Sequence, residues 1–224
     1  MRITVLTGAG VSAESGLATF RASDGLWEQH RIEDVATPEA FIRDPDLVHR
    51  FYNMRRAAAT VAEPNAAHRA LVTLADKHDL TLITQNVDDL HERAGSTDVI
   101  HMHGALNSAL CAVCGNRWPA PAVMQVNDPC PACTAPATRP DIVWFGEMPY
   151  HMERIWDALD NSHLFVAIGT SGNVYPAAGF AQHAGRRNAL CLEINLEPST
   201  NRADFDRQIL GPATVTVPEW VASL

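Results

Sequence analysis

The stretch RITVLTGAGVS, residues 2–12, decides the fold. Residues 2–7 are mostly aliphatic or β-branched and the run stops at Gly8, which is typical of a parallel strand buried on both faces. Glycines at positions 8 and 10 would let the main chain approach a pyrophosphate at the start of a helix. The full G-x-G-x-x-G fingerprint is absent and glycine turns after strands are common. A dinucleotide site and an ordinary turn therefore both remain open.

Apolar runs further along the chain alternate with helical patterns. We predict strands at 80–84, 99–103, 141–145, 163–170, 189–195 and 213–217. We predict helices at 38–63, 65–78, 151–161, 176–187 and 218–224. This alternation predicts an α/β fold, a Rossmann-like parallel sheet with helices on both faces. In such sheets the ligand lies beyond the carboxyl ends of the strands.

Four of the five cysteines form the pattern C-x2-C-x15-C-x2-C, and they are Cys111, Cys114, Cys130 and Cys133. Two knuckles at this spacing are typical of a zinc ribbon, and four thiolates leave no open coordination position. We therefore predict one structural Zn²⁺ ion in a small insert. Free cysteines or a redox pair are the alternatives. Cys191 lies in an apolar run, so we predict that it is an inert core residue.

Charge and composition restrict the class of protein. The 224 residues include 26 acidic and 17 basic ones, for a formal net charge of −9. This balance argues against non-specific binding to DNA and against an anionic membrane surface. No apolar run reaches the roughly 18 residues that a membrane span needs. The start is too short for a secretory signal. We expect a cytoplasmic protein with neither a nucleic acid nor a membrane as partner.

Polar side chains follow several predicted strands. They are Gln85, Asn86 and Asp88 in TQNVDD, His101 and His103 in HMHG, and Glu197 in NLEPS. A histidine beside amide and carboxyl groups at a strand end suits acid–base chemistry, although a structural histidine or a metal pair would also fit. Glu197 could accept a hydrogen bond from a ribose hydroxyl, or it could lie at a solvated strand end. The residues alone therefore predict a nucleotide-binding α/β enzyme with a structural zinc.

Several segments occur in the order seen in sirtuins, the NAD-dependent protein lysine deacylases, and the resemblance runs from about residue 3 to 218. They are GAGVSAESGLATFRASDGLWE, TQNVDDLHERAG, HMHG, the two Cys knuckles, VWFGE, GTSGNVYPA and NLEPS. GLATFRA and FYNMRR (51–56) resemble the bacterial class III group. Members of that group remove acetyl groups and acidic acyl groups such as succinyl.

The resemblance implies an NAD-dependent deacylase that removes acetyl, succinyl and malonyl groups from lysines of protein substrates. NAD would be the co-substrate, and nicotinamide and 2′-O-acyl-ADP-ribose would be released. An NAD-dependent protein ADP-ribosyltransferase, or a zinc-ribbon interaction protein that senses NAD, are the alternatives. We expect a monomer. The resemblance also implies a Rossmann-like large domain of about 1–35, 64–104 and 141–224. Residues 36–63 (helical) and 105–140 (zinc-binding) would form the small domain.

The resemblance also implies roles for individual residues. His103 would be the general base, and Asn86 would assist catalysis. The cofactor contacts would be Gly8, Ala9, Gly10, Glu14, Thr19, Phe20, Arg21, Trp27, Gln85, Asn86, Asp88, Gly169, Thr170, Ser171, Asn195, Leu196, Glu197 and Ala213. The substrate peptide would pair as an added strand between two segments, Val143, Trp144 and Phe145 on one side and Gly172, Asn173 and Val174 on the other.

Tyr52 and Arg55 are three residues apart, so on a helix they share a face. A phenol hydroxyl and a guanidinium can together bind a terminal carboxylate. Taken alone, the pair favours a different interpretation, a core tyrosine and an exposed arginine on an amphipathic helix. The resemblance to class III sirtuins favours binding of an acidic acyl group by Tyr52 and Arg55.

Overall fold

The computed structural model describes residues 1–19, the backbone of 26–27, and residues 30–224. The predicted cofactor residues Phe20 and Arg21, and the side chain of Trp27, lie outside the described residues.

The strands in chain order are β1 Arg2–Thr7, β2 Leu26–Trp27, β3 His30–Arg31, β4 Asp79–Thr84, β5 Val99–His101, β6 Gly104–Cys111, β7 Arg117–Pro119, β8 Thr138–Ile142, β9 Leu164–Ile168, β10 Leu190–Asn195 and β11 Arg207–Leu210. The helices are α1 Gly10–Ala13, α2 Ile32–Val35, α3 Pro38–Arg43, α4 Pro45–Val61, α5 Ala66–Lys77, α6 Leu90–Ala94, α7 Met152–Asn161, α8 Phe180–Arg186 and α9 Ala213–Ala222.

Six strands form a parallel sheet in the order β11-β10-β9-β1-β4-β5. The chain first builds outward from β1 to β5 and then returns to β9 on the other side of β1. The direction of winding therefore reverses between β1 and β9, which is where open sheets of this kind bind ligands. This topology confirms the predicted Rossmann-like α/β fold.

Apolar side chains cover both faces of this sheet. On one face α5 and α9 pack against it, with Leu71 and Val217 fully buried. On the other face α7 and α8 do the same, with Leu159 and Phe180 fully buried. This two-sided burial explains why the strands are continuously apolar.

A second sheet is antiparallel and has the order β7-β6-β8. Next to it, α2, α3 and α4 enclose a separate apolar cluster that includes Phe51, Tyr52 and Trp144. Within the described residues, no helix is long and apolar enough to cross a membrane.

Three predicted elements were wrong in detail. Residues 213–217, predicted as a strand from their β-branched side chains, begin helix α9, and β11 at 207–210 takes the sheet edge instead. The predicted helix 38–63 is two helices, because Asp44 caps α4 through a 2.9 Å bond from Leu47 N and Pro45 begins the new helix. The strand predicted at 141–145 lies at 138–142 and pairs with β6 in the antiparallel sheet.

Candidate active site

The loops that follow β1 and β9 touch each other through glycines. Gly8 N donates to Ile168 O at 2.9 Å, and Gly10 N donates to Gly169 O at 2.8 Å. A Cβ atom on Gly8 would lie 2.7 Å from Gly169 O, and one on Gly10 would lie 2.7 Å from Gly169 Cα. Both clashes are with main chain that cannot move aside. These glycines therefore let the two loops meet at the reversal point of the sheet.

Polar side chains from the β4 end join this contact. The Thr170 hydroxyl donates to Gln85 Oε1 at 2.9 Å, and Asn86 Nδ2 donates to Ser12 Oγ at 3.1 Å. Asn86 is buried. The loops after β1, β4 and β9 are thus linked side chain to side chain, and they bring together the predicted Gly8, Gln85, Asn86 and Thr170.

Asp88 lies in the same loop as Asn86 and is also buried. Desolvation raises the pKa of Asp88, although a hydrogen bond from Leu90 N at 3.2 Å opposes the shift. A buried carboxyl group of this kind suits recognition of a neutral amide, because it offers acceptor oxygens in a dry site.

His103 follows β5 and immediately precedes β6. Its Nδ1 atom lies 3.1 Å from the carbonyl oxygen of Gln85. A carbonyl can only accept, so the proton of the neutral ring is on Nδ1 and the lone pair is on Nε2. Burial lowers the pKa of His103, with the Gln85 contact acting in the opposite direction. The ring is therefore a neutral proton acceptor near neutral pH.

His101, the other histidine of the motif, has a different environment. Its Nδ1 atom contacts Asn86 O at 3.1 Å, and its Nε2 atom contacts Glu92 Oε1 at 2.7 Å. Burial would lower the pKa of His101, but the hydrogen bond and charge of Glu92 outweigh it and raise the pKa. His101 therefore holds the loop through its contact with Glu92. Both of its ring nitrogens are engaged, which makes it a poor general base.

The residues predicted to contact adenosine lie at the ends of β9 and β10. Asn195 Nδ2 donates to Thr170 O at 2.7 Å, whereas Leu196 and Glu197 are exposed. The Glu14 carboxylate accepts from Thr214 N at 3.0 Å and from Thr214 Oγ1 at 2.7 Å. Glu14 therefore holds the first turn of α9, next to Ala213.

The predicted acyl-binding pair lies on α4. Tyr52 is fully buried and Arg55 is 8% exposed, so neither is a surface residue. Arg55 Nη1 donates to Ala18 O at 3.2 Å, just before the predicted cofactor segment at Thr19. Trp144 Nε1 donates to the Tyr52 hydroxyl at 3.1 Å.

The two predicted peptide-binding segments have different surroundings. Val143 N donates to His103 O at 2.9 Å, which links the first segment directly to the histidine. The Trp144 side chain turns inward, while Phe145 is exposed. In the second segment Asn173 is exposed and its Oδ1 accepts from Thr200 Oγ1 at 2.8 Å. Gly172 is buried and Val174 is partly buried, next to the exposed Ser171.

The four cysteines of the knuckles meet at the end of β6. All four Sγ atoms lie within 4.8 Å of one another, and the pairs Cys111–Cys133 and Cys114–Cys130 are 3.7 Å apart. Four sulfurs at about 2.3 Å from a central tetrahedral Zn²⁺ would lie about 3.8 Å apart. The cluster therefore fits zinc. Cys191 is buried in the core as predicted, and burial raises its pKa to about 11.

Sequence reasoning missed two residues that support the site. Ser12 positions Asn86, and Glu92 holds His101. Both stood in motifs that carried the resemblance. Ser12 lies 74 residues from Asn86, and Glu92 lies nine residues from His101 across a turn of the chain, so no regular spacing identified either contact.

Comparisons with known proteins agree with this geometry. The model of the Sir2 family matches residues 8–176. A Bdellovibrio bacteriovorus protein named NAD-dependent protein deacylase is 53% identical over 224 residues, which cover 98% of this chain and 94% of that protein.

Solved structures show the same similarity. A Sir2 homologue in complex with NAD has a TM-score of 0.91 and 39% identity, covering 99% of this chain and 88% of its own. A Sir2 protein bound to an acetylated peptide has a TM-score of 0.84 and 26% identity, covering 99% of this chain and 92% of its own.

Proposed function

The chain belongs to the Sir2 family and is an NAD-dependent protein lysine deacylase that acts on acylated proteins, and we propose that its acyl substrates include succinyl- and malonyl-lysine as well as acetyl-lysine. One observation supports the proposed use of acidic acyl groups. Tyr52 and Arg55 share a face of α4 and are both buried. A guanidinium and a phenol hydroxyl on one helix face both donate hydrogen bonds, and a terminal carboxylate offers acceptors for both.

NAD, when bound, supplies the ribose carbon that the amide oxygen of the acyl-lysine attacks as nicotinamide leaves. We assign the pyrophosphate of NAD to the loop Gly8, Ala9 and Gly10. Close contact with Gly169 excludes a side chain at Gly8 and at Gly10, and the main chain is therefore accessible there. We assign the nicotinamide end to Asn86 and Asp88. Their burial supports this, since a polar pair in a dry pocket orients an amide and excludes water. The remaining cofactor contacts are proposed as the sequence implied them, namely Glu14, Thr19, Gln85, Thr170, Ser171, Asn195, Leu196, Glu197 and Ala213.

We assign the general base to His103. The Gln85 carbonyl holds the ring proton on Nδ1, so Nε2 can accept a proton from a ribose hydroxyl. That hydroxyl oxygen would then bond to the acyl carbon, and one water molecule would be consumed as the lysine amine leaves. The overall reaction would convert acyl-lysine, NAD and water into free lysine, nicotinamide and 2′-O-acyl-ADP-ribose.

We assign peptide binding to the segments 143–145 and 172–174. The 2.9 Å bond from Val143 N to His103 O supports this, because a peptide strand beside Val143 would bring its acyl-lysine close to the base. One Zn²⁺ ion, held by the four cysteines, would staple the insert and take no part in the chemistry.

We also propose a large domain of 1–35, 64–104 and 141–224 and a small domain of 36–63 and 105–140. The separate sheet and the separate apolar cluster of the α2–α4 region support the division, although β8 crosses its boundary at residue 140. We propose that the protein acts as a monomer. A cytoplasmic location is supported by thiols arranged for a metal, which need a reducing compartment. The net charge of −9 supports the absence of a nucleic-acid partner.

The test is a parallel assay of acetyl-, succinyl- and malonyl-lysine peptides with and without NAD, followed by mass spectrometry. We expect NAD-dependent loss of all three acyl groups and formation of acyl-ADP-ribose. A peptide that instead gains the mass of ADP-ribose would indicate a transferase. Turnover of the acetyl peptide alone would contradict the proposed use of succinyl- and malonyl-lysine.

A further inference from the structure

Trp144 is a buried hydrogen-bond donor directed at Tyr52. Its Nε1 atom lies 3.1 Å from the Tyr52 hydroxyl, and both side chains are at most 2% exposed. An indole nitrogen can only donate, so the Tyr52 oxygen is the acceptor in this bond. The phenol proton must therefore point away from the indole. Among the described residues the Tyr52 hydroxyl has no second hydrogen-bond partner.

Burial keeps this phenol protonated. Desolvation raises the pKa of Tyr52 well above its ordinary value, against the opposing effects of Trp144, Arg139 and Arg55. A buried donor without an acceptor is unfavourable, so the site gains free energy when an acceptor arrives. Arg55 is one turn further along α4 and supplies a second, charged donor.

Trp144 is itself held firmly. The Arg139 guanidinium lies 3.5 Å from the centroid of the Trp144 ring and makes two bonds to Glu147, at 2.7 and 2.9 Å. Glu147 Oε2 also accepts from Trp144 N at 2.8 Å. The Trp144 ring also packs against the Phe41 ring, with 5.2 Å between the ring centroids. One ion pair therefore fixes both the main chain and the ring of Trp144.

We propose that Trp144 is a positioning residue that determines acyl specificity. Its indole N–H occupies the acceptor side of the Tyr52 hydroxyl and turns the phenol proton toward the acyl group, where Tyr52 and Arg55 together bind a terminal carboxylate. This inference rests on the proposed use of acidic acyl groups. An acetyl group ends in a methyl group, which cannot accept a hydrogen bond from Tyr52. The orientation of the phenol proton therefore matters chiefly for succinyl- and malonyl-lysine.

The test is a double-mutant cycle that measures kcat/KM on succinyl- and acetyl-lysine peptides. Trp144→Phe keeps an aromatic ring over Arg139 but removes the donor. We expect it to lower the ratio of succinyl to acetyl kcat/KM about tenfold, the usual value of one positioned hydrogen bond, and to do so mainly through KM. The double variant Tyr52→Phe/Trp144→Phe should have the same ratio as Tyr52→Phe alone, because no hydroxyl remains to be oriented.

Two results would overturn the inference. One is an unchanged ratio in Trp144→Phe, and the other is an equal fall in both backgrounds, which would mean that Trp144 acts through pocket shape. Should Trp144→Phe fail to fold in a thermal melt, Glu147→Gln loosens the Arg139 clamp without touching Tyr52. That variant should lower the ratio in the same direction, and an unchanged ratio there would also overturn the inference.

The proposed function fails in a different way. A wild-type protein that does not desuccinylate contradicts both proposals. A wild-type protein that desuccinylates, and whose ratio falls in Arg55→Met but not in Trp144→Phe, contradicts the role of Trp144 alone.

Discussion

His103 Nδ1 and Gln85 O lie 3.1 Å apart, and this contact joins the histidine that follows β5 to the residue that follows β4. His101 makes the matching contact with Asn86 O, also at 3.1 Å. Two histidines separated by one residue thus bind two successive carbonyls. The two rings nevertheless have different roles. Nε2 of His103 is left as a proton acceptor, whereas Nε2 of His101 contacts Glu92 and braces the loop.

Replacing His103 with alanine should abolish deacylation while the protein stays folded. The loss of a positioned base is expected to cost about 10²–10⁴-fold in kcat. Turnover of an acetyl-lysine peptide measures this, with a thermal melt to check folding. His101→Gln is the matched control and should retain far more activity. Full turnover by His103→Ala would reject the assignment.

The pH dependence of kcat/KM should reflect the pKa of His103. A general base works only when deprotonated, and burial lowers the pKa of His103 below 6.5. The acid limb of kcat/KM should therefore have its midpoint below 6.5, and activity should persist to lower pH than a free imidazole would allow. A midpoint above 6.5 would point to His101 instead, because Glu92 raises the pKa of that ring.

Arg55→Met should lower desuccinylation far more than deacetylation. A lost charge-assisted hydrogen bond corresponds to roughly 10–100-fold in kcat/KM, and only an acidic acyl group makes it. Arg50 lies on the same helix and is exposed, so Arg50→Met is the control and should leave the ratio of the two rates unchanged. Equal losses on both substrates would contradict the role of Arg55.

Removing a zinc ligand should unfold the insert. Cys111→Ser leaves three thiolates, and we expect loss of bound metal together with a large fall in melting temperature, because metal binding is coupled to folding. Elemental analysis should find one zinc per wild-type chain. Cys191→Ala should keep that zinc, since Cys191 lies in the core away from the cluster. Wild-type protein without metal would contradict the site.

A methyl group at Gly8 should separate the two glycine loops. Gly8→Ala places Cβ 2.7 Å from Gly169 O, and overpacking of this kind costs about 1–3 kcal/mol of unfolding free energy. NAD affinity, measured by calorimetry, should fall as well. Gly185→Ala on helix α8 is the control, because its Cβ would make an ordinary contact with Cys191 Sγ at 3.8 Å. Unaltered NAD binding by Gly8→Ala would show that the contact is dispensable.

The sequence predicted the sheet well because buried parallel strands are long apolar runs with polar residues at their ends. It failed at 213–217, where β-branched side chains suggested a strand. There the spacing of Val217, Trp220 and Val221 places one helical face against α5, and burial of that face outweighs local propensity. The break between α3 and α4 had a visible signal in Asp44–Pro45, a capping residue followed by proline.

The site was predictable only in its motifs. Gln85, Asn86 and His103 could be named from strand ends, but the hydrogen bonds that hold their side chains could not be predicted. Ser12 lies 74 residues from Asn86, and Tyr52 lies 92 residues from Trp144. Such contacts depend on how the strands are ordered in space, which periodicity along the chain does not encode.

Strand β6 starts directly after His103 and ends at Cys111, so the imidazole and the thiolate cluster stand at opposite ends of one eight-residue strand. Gly104, at its first position, sits so close to the main chain of Asp141 that the strand has little freedom to shift there. This tight packing at Gly104 would therefore shield the base from any disturbance at the exposed Cys114 and Cys133.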